Sequence, residues 1–246
     1  MKNKILIFGD SHSLYFYKPF YINKLMPALD DINIIVRNII GATIKGFGNR
    51  QSTLNTLNIF KESIRNNSPN VIVFSLGQVD VELGFYYRKI IKRDKLSIED
   101  FCNQLVEIYI SSVEEVLSEV NYKGLVVFKG INNTVLTYSQ QNAIFYTKKI
   151  ITENIKEAKE IEKFTLILNA EYPNALERVN NHKVFNLFLK NKIKDKYLYF
   201  DINNEINNEQ GFVKLEHVPS KDDHHLVDSV FIKMLHFRKL MEILQY

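Results

Sequence analysis

Short apolar runs alternate along the chain with longer segments in which apolar residues recur every three or four positions. The short runs are typical of buried strands, and the longer spacing is typical of amphipathic helices. Because strands that alternate with helices need crossover connections, this order predicts a parallel sheet of about five strands with helices on both faces. The predicted strands span residues 4–9, 32–36, 71–76, 124–128 and 164–168, and a short sixth run covers 197–200.

The helical segments differ in regularity. Pro19 lies in the middle of a predicted helix over 13–27, so we expect a short or broken helix there. Ser97 starts a sequence like a capping box, with Asp100 in place of the usual Glu, before a long helix. Further helices are predicted over 51–66, 138–161, 181–193 and 227–244. No linker, repeat or shift in composition divides the chain, so we expect one domain over residues 1–246.

The first predicted strand stops abruptly at Gly9-Asp10-Ser11. This places Ser11 in a tight turn at the carboxyl end of a strand, which is the edge where open α/β sheets bind ligands. A serine there becomes a nucleophile only with a base, a group that orients the base, and donors for the oxyanion. The same serine could instead only cap the helix that follows it.

A base and its orienting acid are available near the other end of the chain, in the sequence Asp222-Asp223-His224-His225. Asp222 lies three residues before His225, in a loop that leads into a helix. Both side chains can therefore turn toward one cleft, where the carboxylate would hold the imidazole in one tautomer. His224 is an alternative base, since it also lies close to carboxylates. On its own, this spacing equally fits a surface turn or a helix cap.

Composition describes an ordinary globular protein, with 46% hydrophobic and 24% charged residues among 246. The single cysteine, Cys102, excludes a disulfide framework and a zinc site made of cysteines, and we expect a buried structural thiol. The first apolar run is too short for a signal sequence or a membrane span, which predicts a cytoplasmic protein. The formal net charge is only +4, and no RNA-binding or helix-turn-helix signature is present, so no nucleic-acid partner is expected.

Three motifs, met in this order, resemble those of the SGNH hydrolases, also called GDSL-like esterases. Residues 9–13 match the first block of that family, residues 38–43 match the second, and residues 222–226 match the last. The resemblance therefore spans nearly the whole chain. It implies a three-layer α/β/α fold with a flavodoxin-like parallel sheet.

The resemblance also implies roles for particular residues. Ser11 would be the nucleophile, and Asp222 and His225 would complete the catalytic triad. The backbone N–H groups of Ser11 and Gly41 would bind the oxyanion. No metal or organic cofactor is expected, although acetyl-CoA would be the acyl donor of a transferase.

The third block departs from the family pattern. The family has Gly-x-Asn-Asp, whereas this chain has Gly77-Gln78-Val79-Asp80, and valine cannot donate the hydrogen bond that the asparagine supplies. Gln78 carries an amide one position away and could replace it. The run resembles a Gly-Glu-Ile-Asp variant associated with SGNH-like proteins of surface-polysaccharide pathways.

Several other residues are candidate substrate contacts. Aromatic faces stack on pyranose rings, so the run Phe85-Tyr86-Tyr87-Arg88 fits a sugar-binding cleft, although it equally fits ordinary core and rim. The basic run 88–93 is either a solvated helix end or a contact for an anionic substrate. The candidates are Asp10, His12, Asp80, Tyr86, Arg88 and His224.

Together these observations predict serine-dependent acyl ester chemistry on a small-molecule or polysaccharide ester. The leading hypothesis is a carbohydrate O-acetyl esterase that acts on a polysaccharide or its precursor. One alternative is a polysaccharide O-acetyltransferase with the same triad. The other is an SGNH-like protein that binds glycan without cleaving it, which the valine in the third block motivates.

Overall fold

The computed structural model of the protein describes residues 3–220 and 223–245. Its centre is a five-stranded sheet in the order β2-β1-β3-β4-β5, and every neighbouring pair of strands is parallel. The predicted fold class and the predicted parallel sheet are therefore confirmed. The strands are β1 (Asn3–Gly9), β2 (Ile32–Asn38), β3 (Val71–Ser75), β4 (Leu125–Lys129) and β5 (Leu198–Phe200).

Helices connect the strands and cover both faces of the sheet. Short 3₁₀ helices lie at Ser11–Phe16, Pro27–Leu29 and Leu215–His217, and π-helical turns lie at Asp80–Gly84 and Tyr87–Ile91. The α-helices are α1 (Phe20–Leu25), α2 (Ile44–Phe47), α3 (Thr56–Asn67), α4 (Ile98–Glu119), α5 (Gln140–Ile151), α6 (Ala158–Glu171), α7 (Ala175–Ile193), α8 (Asn203–Ile206) and α9 (Val230–Leu244). None of the described helices is both long and apolar enough to cross a bilayer.

Alternate residues of the central strands pack into two separate apolar clusters, because successive side chains of a strand point to opposite faces. In β1, Leu6 and Phe8 face the larger cluster, which contains Phe60 of α3 and Tyr109 of α4. The smaller cluster covers the other face with side chains from the first 3₁₀ helix and α9; its strand members include Ile5, Ile7, Val71 and Val73. Both faces are buried, which explains why residues 5–8 of β1 and 71–74 of β3 are apolar at every position.

The predicted strand at 164–168 is wrong, because these residues lie inside helix α6. Ile161, Phe164 and Leu168 are at least partly buried, while Leu166 is 66% exposed, which is the pattern of one helical face. The fifth strand is instead the short run at 198–200. The predicted helix over 138–161 also ends early, and α5 and α6 are separate helices joined by residues 152–157.

Gly9 ends β1 and is paired with Ser75, the last residue of β3. A Cβ atom added to Gly9 would lie 2.3 Å from the Ser75 carbonyl oxygen, nearer than real Cβ atoms approach backbone. The Asp10 N–H donates to the same carbonyl at 3.2 Å. The chain can therefore leave the sheet at this point only because residue 9 has no side chain, and Ser11 follows directly.

Candidate active site

Ser11 and His225 meet although 214 positions separate them in the sequence. Ser11 Oγ lies 2.7 Å from His225 Nε2, and His225 Nδ1 lies 2.7 Å from Asp223 Oδ1. An ionised carboxylate only accepts hydrogen bonds, so Nδ1 carries the hydrogen and Nε2 accepts the hydrogen of the Ser11 hydroxyl. The three groups form the hydroxyl, imidazole and carboxylate chain that can activate a serine.

Asp223 supplies the carboxylate of this chain. Asp222, the predicted acid, lies outside the described residues, so its role stays a prediction. Asp223 Oδ1 also accepts the His225 N–H at 3.3 Å, so the loop turns back on itself and the acid reaches an imidazole two residues later. The hydrogen bond from His225 lowers the pKa of the Asp223 carboxyl well below its usual range, which keeps it ionised at neutral pH.

Asp10 builds the turn that carries Ser11. Its Oδ1 accepts the His12 N–H at 2.9 Å, and its carbonyl accepts the Ser13 hydroxyl at 2.8 Å. Asp10 and Ser13 are fully buried, whereas Ser11 between them is half-buried. Asp10 thus fixes the turn, and a side chain that is 0% exposed does not fit the substrate contact that was predicted.

Gly41, the predicted oxyanion donor, lies in an exposed turn after β2 with φ of 74°, a conformation that suits glycine. Asp80 holds the start of α2, just after this turn, because its Oδ2 accepts the Ile44 N–H at 2.8 Å. Burial raises the pKa of Asp80 to about 7, against the lowering effect of hydrogen bonds from the Ile44 and Lys45 N–H groups. Asp80 is only 3% exposed, so the structure makes it a support for the segment after Gly41 and not an exposed substrate contact.

Gln78, the predicted side-chain donor to the oxyanion, is also buried and fully engaged. Its Nε2 donates to Glu82 at 3.0 Å and to the Asn132 carbonyl at 3.1 Å, and its Oε1 accepts the Asn132 N–H at 2.9 Å. Both amide hydrogens are used, so the expectation that Gln78 replaces the missing asparagine is corrected. Gln78 instead ties the end of β3 to the loop after β4.

Glu82 is a buried acid that sequence reasoning did not select. Its carboxylate accepts hydrogen bonds from Gln78 and Thr134, and it lies 3.8 Å from His182 Nε2. Burial alone would raise the pKa of Glu82, but its interactions with His182 and Thr134 outweigh that effect and lower it to about 2. The only sequence signal was its place two residues beyond the third block.

Two further predicted contacts have structural roles. Tyr86 is buried, its hydroxyl accepts a hydrogen bond from Asn181 at 3.1 Å, and its ring centroid lies 4.8 Å from that of Tyr172. Arg88 forms an ion pair with Asp94. Of the two interpretations that the sequence leaves open for this run, burial of Tyr86 fits core and not an exposed sugar contact.

His12 and His224 lie beside the base. The ring of His12 is 4.3 Å from the ring of His225 at an interplanar angle of 21°, and the ring of His224 is also 4.3 Å from that of His225. Burial lowers the pKa of His224 to about 4, so this imidazole is neutral at physiological pH. The structure gives the contact with Ser11 to His225, and His224 packs behind it.

Comparison with known proteins agrees with this architecture. No protein-family model and no curated protein matches the sequence. Among solved structures, a GDSL-like lipase from Bacteroides thetaiotaomicron aligns with a TM-score of 0.54 at 14% identity, over 98% of this chain and 88% of that one. A lipase from goat rumen metagenome aligns with a TM-score of 0.54 at 12% identity, over 98% of both chains.

A third structure, a member of the lipolytic G-D-S-L family from Veillonella parvula, aligns with a TM-score of 0.50 at 11% identity, over 98% of both chains. Identities this low establish the fold and leave the activity to the geometry of the site. The alignments cover 98% of this chain and 88–98% of each aligned structure, so the likeness extends over the whole architecture and not over one motif. The chain therefore has the fold of the GDSL-like, or SGNH, hydrolases.

Proposed function

We propose that the protein is a serine ester hydrolase whose triad is Ser11, His225 and Asp223. The observation that carries the proposal is the pair of 2.7 Å contacts that join the three side chains. A single such contact is common on protein surfaces, but two in series give the base both a proton donor and an orienting acid. The fold shared with lipases of known structure supports the same chemistry.

In the acylation step, Ser11 Oγ attacks the ester carbonyl and His225 Nε2 takes the hydroxyl proton. Asp223 holds the tautomer that leaves Nε2 free and stabilises the imidazolium that forms. His225 then gives the proton to the departing alcohol. In the second step water attacks the acyl-enzyme while His225 takes its proton. The bond from the acyl carbon to Ser11 Oγ then breaks, His225 returns the proton to Oγ, and the free acid leaves.

The oxyanion would be bound by the backbone N–H groups of Ser11 and Gly41. Val79, at the position of the family asparagine, lines a groove of about 530 Å³ of mixed polarity beside α5 and α6, and its side chain has no hydrogen to donate. Loss of one oxyanion donor typically lowers kcat by about 10²–10³. We therefore expect a slow esterase, whose turnover rises when a side-chain donor is restored by Val79→Asn.

A carbohydrate ester is the substrate that the surface favours. A polar cavity of about 440 Å³ lies beyond the carboxyl ends of β4 and β5, at the same edge of the sheet as Ser11. Three strand spacings separate β1 from β5, which is a distance of about 14 Å across the sheet. Amide side chains both donate and accept, as sugar hydroxyls do. The lining includes no apolar side chain and six asparagines, which are Asn133, Asn186, Asn203, Asn204, Asn207 and Asn208.

Hydrolysis of p-nitrophenyl acetate and labelling by a serine-directed fluorophosphonate test the proposal. Both should be present in the wild type and lost in Ser11→Ala. Ser13→Ala is the matched control, because Ser13 is two residues away and buried with its hydroxyl on the Asp10 carbonyl. It should keep the label.

The outcomes separate the competing functions. Release of acetate from an O-acetylated oligosaccharide with no acceptor supports a hydrolase, whereas a requirement for acetyl-CoA and a glycan acceptor would indicate a transferase. Failure of the wild type both to label and to hydrolyse p-nitrophenyl acetate would overturn the enzymatic proposal and favour a glycan-binding protein.

A further inference from the structure

Three imidazoles converge beside the candidate nucleophile. One ring nitrogen each from His12, His224 and His225 lies within 4.8 Å of the other two. The ring centroids are 4.3 Å apart for His12 and His225, 4.3 Å for His224 and His225, and 4.9 Å for His12 and His224. The ester chemistry proposed above uses only one of the three rings.

The two unused rings each keep a buried nitrogen with no hydrogen-bond partner among the described residues. These atoms are His12 Nε2 and His224 Nδ1, on side chains that are 3% and 8% exposed. A buried polar atom without a partner costs stability, and a native structure keeps it only where something else satisfies it. Each of these nitrogens can give its lone pair to a ligand, and the cluster brings ring nitrogens of both residues within 4.8 Å of each other.

Carboxylates orient two of the rings in the way that metal ligands are oriented. Asp10 Oδ1 lies 3.2 Å from His12 Nδ1, and Asp223 Oδ1 lies 2.7 Å from His225 Nδ1. Histidines that bind metals usually donate one ring N–H to a carboxylate, which fixes the tautomer and turns the other nitrogen to the ion. In both pairs the nitrogen left for an ion is Nε2.

We propose that His12, His224 and His225 form a binding site for a divalent transition-metal ion, and that the bound ion inhibits the enzyme. Three imidazoles suit Zn²⁺, Co²⁺, Ni²⁺ or Cu²⁺ and not Mg²⁺ or Ca²⁺, which prefer oxygen ligands. Bonds to Zn²⁺ of about 2.0–2.1 Å place tetrahedral ligand atoms about 3.4 Å apart, so the rings must close slightly around the ion. The terminal torsion of histidine is broad enough to allow this rotation.

Inhibition follows from the hydrogen bonds of His225. Its Nδ1 is held by Asp223, so its lone pair for an ion is on Nε2, the atom that accepts the hydrogen of the Ser11 hydroxyl. A metal ion on Nε2 removes the base from the serine without touching the fold. Binding of the ion does not depend on the esterase proposal, whereas its inhibitory effect rests on that proposal.

The test measures binding and activity separately on the full chain, freed of metal by a chelator. Calorimetric titration with Zn²⁺, and Co²⁺ absorption in the visible range, should show one ion per chain in the wild type. Affinity should fall about tenfold or more in His12→Phe and in His224→Phe. His217→Asn is the matched control, because His217 is a buried histidine that stacks on Phe231, outside the cluster, and it should bind as the wild type does.

The wild type alone gives a second readout that does not depend on how the variants fold. In imidazole ¹H–¹⁵N spectra, Zn²⁺ should shift the signals of the three clustered histidines and leave those of His217 and His236 in place. Zn²⁺ should also inhibit hydrolysis of p-nitrophenyl acetate. The Zn²⁺ concentration that halves the rate, measured for each protein against its own rate without Zn²⁺, should be about tenfold or more higher in His224→Phe than in the wild type.

Absence of Zn²⁺ binding up to about 1 mM, or equal binding by the wild type, His12→Phe and His224→Phe, would overturn the metal site. Binding with no effect on a measurable esterase rate would overturn its inhibitory role. Binding without any esterase activity would leave the site standing and remove the proposed function instead, so the two failures are distinguishable.

Discussion

Replacement of Asp80 by asparagine should flatten the dependence of stability on pH. Asp80 is buried against the start of α2, and asparagine keeps an oxygen that can accept the Ile44 N–H at its present 2.8 Å. The substitution removes the ionisation and nearly preserves the shape. The pKa of Asp80 is about 7 in the folded protein against an ordinary value of 3.8.

The sign follows from where the proton is bound. Between about pH 4 and about pH 7 the folded state holds a proton on Asp80 that the unfolded state has released, so stability falls as the pH rises. Above about pH 7 the folded state also ionises, and the full cost is present. One pKa unit corresponds to about 1.4 kcal/mol, so this group alone lowers the free energy of unfolding by about 2–3 kcal/mol between pH 5 and pH 8.

Urea denaturation of the wild type and Asp80→Asn at pH 5, 6, 7 and 8 measures the difference. Other titrating groups are common to both proteins, so the gap between them should change in favour of the variant by about 2–3 kcal/mol over this range. The exposed Asp195→Asn is the control and should follow the wild type. A gap that stays constant with pH would show that Asp80 is ionised with an ordinary pKa, and the reasoning would be wrong.

The remaining predictions concern the triad, the turn before it and the third block. Asp223→Asn should lower kcat for p-nitrophenyl acetate about 10⁴-fold, because the wrong tautomer of the base is then favoured. Asp222→Asn should change kcat by less than about tenfold. A larger loss in Asp222→Asn than in Asp223→Asn would identify Asp222 as the acid of the triad. Gly9→Ala should abolish the soluble folded protein, since its Cβ would lie 2.3 Å from a backbone oxygen of Ser75; a wild-type melting temperature would contradict this. Gln78→Met should lower the free energy of unfolding by about 2–3 kcal/mol through buried polar groups left unpaired, as urea denaturation would show. Its kcat should fall less than about tenfold, whereas a loss of 10²–10³ would identify an oxyanion donor.

The sequence predicts well where local pattern and tertiary environment agree. Residues 5–8 are all apolar and end at Gly9, so both the strand and the position of Ser11 follow from this run. The long helix after Ser97 is confirmed, including the Ser97 side chain on the Asp100 N–H. In these segments burial on both sides, or on one clear face, leaves a single interpretation.

Prediction from the sequence fails where one pattern of residues fits two different local structures. The apolar residues at 164–168 fit a strand by their continuity and a helix by the spacing of Ile161, Phe164 and Leu168, and the structure adopts the helix. The acid predicted at Asp222 lies outside the described residues and stays a prediction; the structure joins Asp223 to His225, a contact that spacing along a loop does not reveal. Gln78 carries the right amide, but that amide is taken up by Glu82, four residues on, and by Asn132, a tertiary contact across 54 positions.

The acid and the base of the candidate triad are carried on one short loop, and the ribosome makes that loop after Ser11 and after all five strands. The loop is held by the Tyr15 hydroxyl, which donates to the Leu226 carbonyl at 2.9 Å. All five strands precede it in the chain, and β5 ends at Phe200. A nascent chain can therefore contain all five strands and Ser11 before His225, the base of the candidate triad, has been made. The serine stays an ordinary alcohol until the loop that carries Asp223 and His225 has been synthesised and docked.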